Sequence, residues 1–530
     1  MRLGHIWGAA RRHLTPEPLN LERGTLNVEP GTLPNIILIC SDQHRHDWLG
    51  CAGARQVETP HLDDLAARGV RFTDAYCNAP LCGPSRMSFL TGRHPYRNRV
   101  FINEHTLSSD VPTIAHALGR AGYETVLCGR MHFMGLDQRH GFQRRLVGDI
   151  CRCYGGGPAV DYGELAGSAS NSLKAVTLAG PGDSPVLQYD EDVTRAFERL
   201  AAEHAAAETD APLFCTVGWY GPHHPFTAPR ELYEKAVARL RAAGDTPLPR
   251  YPEPRHPWLQ DWMDWQKVNP TDAQIFEVRA NYAAMIDLMD QRIGRLLRAA
   301  RQLPGETLVV YISDHGEMAG DRALFGKCTF HEASVKVPFI IAPLGGTADA
   351  IAAGTTVNAP VSLLDLAPTL AALVDAPPFP LADGDDLGPL LAAPDAAGEA
   401  RWEQRPIMSE LEMLRRPPIR MIRKGPHKLV YYHEYEQPML FDLAEDPDEQ
   451  NDLGADPAYA TVRDALLREV LADWDPEQVI ADVTRAMDDL DYQAAWGRSV
   501  GMGPLEVWDA QNPVYEFAAT GCALSHMEKE

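Results

Sequence analysis

Short apolar runs that alternate with amphipathic helices constrain this fold more than any other feature of the sequence. The first run, residues 35–41, stops at Ser41-Asp42-Gln43-His44. A helix follows, opening after Thr59-Pro60, with Leu62, Leu65 and Ala66 at helical spacing and Gly69 just past its end. A second strand is expected from Val70 to Cys77, then a Pro/Gly loop, a helix starting near Pro84 and ending at Gly92, a helix over 111–121 and a strand at Thr125-Val-Leu-Cys128. Leu213–Trp219, Thr307–Ser313 and Val337–Ile341 read as further strands. Between the first two of these lies a long helix, roughly 271–302, with Tyr282, Ile286, Met289, Ile293 and Leu297 on its buried stripe. Such alternation predicts an α/β fold, a mixed and mostly parallel sheet sandwiched by helices, with its ligand site beyond the carboxyl ends of the strands.

The remaining segments read differently. Residues 143–205 carry Gly155-Gly156-Gly157 and Ser/Gly/Ala-rich stretches and look like an insertion or lid. From about 400 the pattern changes to short β runs at 406–408, 419–422, 428–432 and 439–441, closed by an amphipathic helix at 457–472: a small C-terminal antiparallel α+β subdomain. The expected organisation is an N-terminal extension over 1–33, a catalytic domain over 34–395, the subdomain over 396–475 and a tail over 476–530. That tail is aromatic-rich, shows no helix pattern and is read as an oligomerisation segment.

Charge and cysteine usage narrow the partners. With 73 acidic against 49 basic residues, a net charge of −24 disfavours nucleic acid and anionic membranes. No apolar run approaches membrane-spanning length, and the first 33 residues contain no apolar export core. Ten scattered cysteines, several in strand-like runs, are expected to be reduced and mostly buried, which suits a cytoplasmic location.

Three strand ends stop in groups suited to chemistry: Asp42-Gln43, Asp314-His315 and His223-His224. Two aspartates, an amide and a histidine form an oxygen-rich donor set for a hard cation rather than structural zinc, with His315 tipping it toward manganese. Each aspartate alone is more often an ordinary loop cap. In Leu81-Cys82-Gly83-Pro84-Ser85-Arg86, Cys82 falls at a helix N-terminus with Arg86 one turn on. On that basis it is either a low-pKa thiolate or a small packing residue.

Cys82-Gly-Pro-Ser-Arg86 followed by Leu90-Thr-Gly92 resembles the Cys-x-Pro-Ser-Arg-x-x-x-Leu-Thr-Gly signature of the type I sulfatases, in the alkaline phosphatase superfamily. The resemblance covers roughly residues 34–475, including Leu440-Phe-Asp-Leu-Ala-Glu-Asp-Pro447, and implies an alkaline phosphatase-like fold. It implies that Cys82 is oxidised to formylglycine by a formylglycine-generating enzyme, and that one divalent cation, calcium or manganese, is held by Asp42, Gln43, Asp314, His315 and the residue at 82. It further implies that Arg86 holds the nucleophile, that Lys327 contacts sulfate oxygens and the leaving group, and that His223 protonates the leaving alcohol. His132, in Gly129-Arg-Met-His132, would assist regeneration, and Asn103 would join Lys327 and His223 in substrate binding.

Within the superfamily the sequence looks most like choline sulfatases and phosphonate monoester hydrolases, through Asp314-His315-Gly316 and the segment Thr125–Phe142. Arg130 replaces the usual lysine of the His132 motif, Gly221 stands where choline sulfatases have histidine, and Ile102 where they have aspartate. The expected reaction is hydrolysis of a small-molecule sulfate monoester by a homo-oligomer. The alternatives are a phosphonate monoester or phosphodiester substrate, an inactive sulfatase-fold binding protein, or a hydrolase using the unmodified thiol. Trp219, Tyr220, Phe101, Trp508, Tyr515 and Phe517 are candidates for an aromatic pocket around the alcohol.

Overall fold

A computed structural model describes residues 33–511 and 516, apart from 158, 208, 210, 252–255, 268, 346–350, 378, 393–395, 414, 415 and 504. Expectations for residues 1–32, Cys522, Tyr515 and Phe517 fall outside these. Thirteen strands form two sheets among the described residues: β1 Asn35–Asp42, β2 Val70–Tyr76, β3 Glu124–Gly129, β4 Arg144–Leu146, β5 Leu213–Pro222, β6 Thr307–Ser313, β7 Lys336–Pro343, β8 Thr355–Val357, β9 Val361–Ser362, β10 Ile407–Leu411, β11 Ile419–Lys424, β12 His427–Tyr432 and β13 Met439–Asp442.

The large sheet runs β4-β3-β5-β1-β6-β7-β2-β8, with β9 also on β2. Its pairings are parallel except those of β7 with β6 and with β2. The largely parallel expectation holds, with one reversed strand. Near-continuous apolar sequence follows from burial on both faces: Ile36, Leu38 and Cys40 pack into one core, Ile37 and Ile39 into the other. The helix Asp272–Ala300 covers the second face with Tyr282, Ile286, Met289, Ile293 and Leu297, all buried. Each fully buried aliphatic side chain of this kind contributes about 1.5–3 kcal/mol.

The small antiparallel sheet runs β10-β11-β12-β13 and is closed by the helix Ala460–Val470, whose Leu466 and Val470 meet Ile422, Leu429 and Leu440. Two expectations need correction. Within the presumed insertion, Pro185–Ala206 is a 22-residue core helix, capped by Ser184 and burying Val186, Tyr189, Val193 and Phe197. The tail expected to lack helix contains Pro476–Val500, capped by the Asp475 carboxylate; only Val479, Asp482 and Gly497 are buried along it, so it carries no apolar stripe to read. No helix among the described residues is long and apolar enough to cross a membrane. The nine described cysteines are all free thiols, seven of them buried.

Four adjacent parallel strands, β3, β5, β1 and β6, end on one edge of the sheet. A close backbone crossing fixes how β3 leaves it: Arg130 N donates to Gly218 O (2.9 Å), and Gly129 has φ +89°. A Cβ on Gly218 would lie 1.8 Å from Arg130 O. Gly218→Ala is therefore expected to destabilise the protein by about 1–3 kcal/mol through forced backbone movement. A lowered urea midpoint checks this, and an unchanged midpoint refutes it.

Candidate active site

Each of those strand ends delivers one part of the site. β1 ends in Asp42, β6 is followed by Asp314 and His315, β3 by Arg130 and His132, and β5 by His223. Cys82 opens the helix Cys82–Thr91, which is buried along its whole length and starts two residues earlier than Pro84 suggests. The ligand atoms of Asp42, Cys82, Asp314 and His315 lie within 4.8 Å of one another, all buried. Cys82 Sγ is 3.1 Å from His315 Nε2 and 3.6 Å from Asp42 Oδ1. His315 Nδ1 faces the Gly316 carbonyl at 3.0 Å, which turns Nε2 toward the cluster.

Two buried arginines lie against the carboxylates. Arg86 donates from Nε to Asp314 Oδ2 (2.9 Å), from Nη2 to Asp42 Oδ2 (3.1 Å) and from Nη1 to the Arg130 carbonyl (3.2 Å). Arg130 donates from Nε to Asp42 Oδ2 (2.7 Å) and lies 4.7 Å over the Tyr220 ring. Burial alone would raise the Asp42 carboxyl, but Arg130, with His223, Arg86 and His315, holds it well below the usual carboxylate range. Burial, with Asp42, pushes the Cys82 thiol up to about 11, opposite to the low-pKa thiolate that a helix N-terminus alone would suggest.

This donor set fits a divalent cation. Carboxylate oxygens and one imidazole nitrogen converge at the end of rigid strands, and the aspartates' other oxygens are tied to arginines. The Gln43 side chain faces elsewhere: Oε1 accepts from Lys327 Nζ (2.6 Å), while Nε2 meets Glu317 and His224 Nδ1 (3.1 Å). Its share in the cluster is the backbone N–H, 3.0 Å from Asp314 Oδ1.

Above the cluster opens a cleft of about 610 Å³. Cys82, Asn103, Arg130, His132, His223 and Lys327 line it, so six of the expected residues share one cavity. Arg86, Asp42, Gln43, Asp314 and His315 lie beneath it. Lys327 Nζ is 2.6 Å from His223 Nε2, and His223 Nδ1 is 2.6 Å from the His224 carbonyl. Burial, His224 and Lys327 keep His223 well below its ordinary pKa, hence neutral. Burial would lower Lys327, yet Cys82 and Asp42 hold it above its usual value. Asn103 Oδ1 accepts from Gly83 N (2.8 Å) at the open helix end.

Of the aromatic candidates, Tyr220 lines the cleft; Trp219 and Phe101 are core, and Trp508 is buried against Tyr189. Sequence reasoning missed Asp149, Glu317 and Glu412. Asp149 follows β4 inside the segment read as an insertion and holds Arg130, Met131 and His132. Glu317 lies two residues past His315, a spacing that could have flagged it. Glu412, at the cleft wall, has no local sequence signal; its buried Oε1 has no hydrogen-bond partner among the described residues.

This fold is that of the alkaline phosphatase-like hydrolases. The Sulfatase family model matches residues 34–376, and the model of the N-sulphoglucosamine sulphohydrolase C-terminal region matches 320–474. The chain belongs to the sulfatase family and is a sulfuric ester hydrolase. It is 35% identical over 443 residues to a choline-sulfatase from Rhizobium meliloti, covering 80% of this chain and 83% of that one. Among solved structures, the phosphonate monoester hydrolase of Silicibacter pomeroyi is 27% identical with TM-score 0.65, covering 83% of this chain and 95% of that one. The phosphonate monoester hydrolase of Agrobacterium radiobacter shares the fold at 24% identity, with the same TM-score of 0.65 and the same coverages.

Proposed function

We propose that the protein hydrolyses a sulfate monoester to an alcohol and inorganic sulfate, using formylglycine made from Cys82 and one divalent cation. The observation that carries this is the convergence of Asp42, Cys82, Asp314 and His315 at the floor of a cleft whose wall holds the Lys327–His223 pair. Asp42, Asp314 and His315 would hold the cation, which supplies Lewis-acid stabilisation of negative charge. Formylglycine, when present, supplies a hydrated aldehyde as nucleophile at position 82.

The chain's own residues do the rest. Arg130 and Lys327 bring two positive charges to the cleft and bind the sulfuryl oxygens. Gln43, fixed by Glu317, points its amide oxygen at Lys327 and sets that ammonium. Lys327 Nζ and His223 Nε2 hold one proton between them, placed for the departing alcohol oxygen. His132 stands beside Arg130, 3.2 Å from Nη2, and serves the opposite end of the cycle.

The test joins mass spectrometry of the Cys82 peptide with sulfate release. Protein from its native host is expected to show a loss of about 18 Da against the thiol form. Sulfate release should stop on chelation and return with calcium or manganese. An unmodified thiol in a fully active enzyme would refute the reading. A second substrate class is favoured by the likeness to phosphonate monoester hydrolases: a phosphodiester or phosphonate monoester carries the same single charge. Rapid phosphodiester cleavage beside undetectable sulfate release would put it first.

A further inference from the structure

The segment after the helix Pro476–Val500 lies beyond both family-model matches, yet it reaches the underside of the site. Asp149 N donates to the Glu506 carbonyl and Trp508 N donates to the Asp149 carbonyl, both at 2.9 Å, forming a parallel bridge opposite Val507. The approach needs glycine at 148, where a Cβ would lie 2.2 Å from Glu506 O. Trp508 anchors the segment: it is buried, its indole Nε1 donates to Asp192 Oδ2 (3.0 Å), and its ring lies edge-on to Tyr189 at 5.4 Å. Tyr189 in turn donates to the Gly148 carbonyl (2.9 Å), and Glu506 pairs with Arg139 at 3.2 Å.

What this clamps is the backbone of one aspartate whose carboxylate is wholly committed to the site. Asp149 Oδ2 accepts from His132 N (2.7 Å) and Met131 N (3.1 Å), and Oδ1 from Cys151 N (3.0 Å) and Arg130 Nη1 (3.3 Å). His132 has φ +62°, a left-handed conformation that a non-glycine residue keeps only when its surroundings hold it there. The Asp149 carboxylate supplies that restraint.

We infer that the C-terminal segment 505–508 is a positioning element of the active site: anchored by Trp508, it fixes Asp149, and through Asp149 it sets Arg130 and His132. The inference rests on the sulfatase reading only for the roles of those two residues. Trp508 and Asp149 touch no substrate and act through Arg130 and His132.

The experiment compares the full-length protein with Trp508→Ala and, should that variant fail to fold, Trp508→Phe, which keeps a ring beside Tyr189 and loses the bond to Asp192. Amide hydrogen exchange is read first, because it needs no substrate. The 129–134 peptide, carrying the Met131 and His132 N–H groups, is expected to exchange at least about tenfold faster, with β1 and β6 unchanged. Turnover should fall roughly 10–100-fold, the size seen when a hydrogen bond that orients a site group is lost. Combined with Asp149→Asn, the Trp508 change should add little further loss, because both act through the one carboxylate. Unchanged exchange in 129–134, or losses that multiply in the double variant, would overturn the inference. If the wild-type protein turns over no sulfate ester, the sulfatase reading fails, and the exchange measurement still decides the role of the tail segment.

Discussion

Cys82→Ala is expected to lower turnover by roughly 10⁴–10⁶-fold, the range for loss of a nucleophile that works as part of a unit. The side chain at 82 is the one cleft-lining member of the four-residue cluster, 3.1 Å from His315 Nε2 and 3.6 Å from Asp42 Oδ1. No neighbouring group can replace it. Asp42 and Asp314 are bound to Arg86, and His132 and His223 stand in the cleft wall with partners of their own. The helix should survive, because alanine is a good helix former and only one small sulfur leaves the core. KM should move little, since the anion contacts proposed for Arg130 and Lys327 remain. Steady-state kinetics and a melting curve decide it: activity within tenfold of wild type in the variant would remove Cys82 from the mechanism.

Asp42→Asn should cost both stability and activity. The Asp42 carboxylate is buried between two guanidiniums, with Arg130 Nε at 2.7 Å and Arg86 Nη2 at 3.1 Å. Neutralising it leaves two buried cations sharing Asp314 and Asp149, and breaking a buried pair in this way costs about 3–5 kcal/mol. The same change deletes one charge from the proposed cation site, so cation binding and sulfate release are expected to fall together. Urea unfolding gives the stability term and cation titration the binding term. An unchanged urea midpoint would contradict the packing argument; full cation binding would move the cation elsewhere.

The six longer strands of the large sheet were legible because burial on both faces leaves continuous apolar runs, whereas β4, β8 and β9 are too short to leave one; the Asp42, Asp314 and His223 positions were legible as polar stops at strand ends. The signature around Cys82 carried the family. Three things were not legible. The direction of β7 depends on long-range pairing that a local run does not encode. Pro476–Val500 hides because a helix that buries so little has no period in its apolar residues. Asp149 works through Arg130, Met131 and His132 beyond a neighbouring strand end, and Glu412 reaches the cleft wall only in the folded chain, so nothing in their own neighbourhood marks them. Both the strand-end residue types and the family position put Gln43 among the cation ligands, whereas its amide is turned toward Lys327 and Glu317 by hydrogen bonds that only the folded chain assembles.

The floor of the cleft and one part of its wall come from different kinds of structure. Asp42, Asp314, His315 and Cys82 belong to strand ends and one buried helix, whereas Tyr162, Asn171 and Met413 belong to segments outside the sheet. Under the proposed function, replacing the segments that carry Tyr162, Asn171 and Met413 is expected to change which alcohol is accepted while the chemistry proposed for the floor stays as it is.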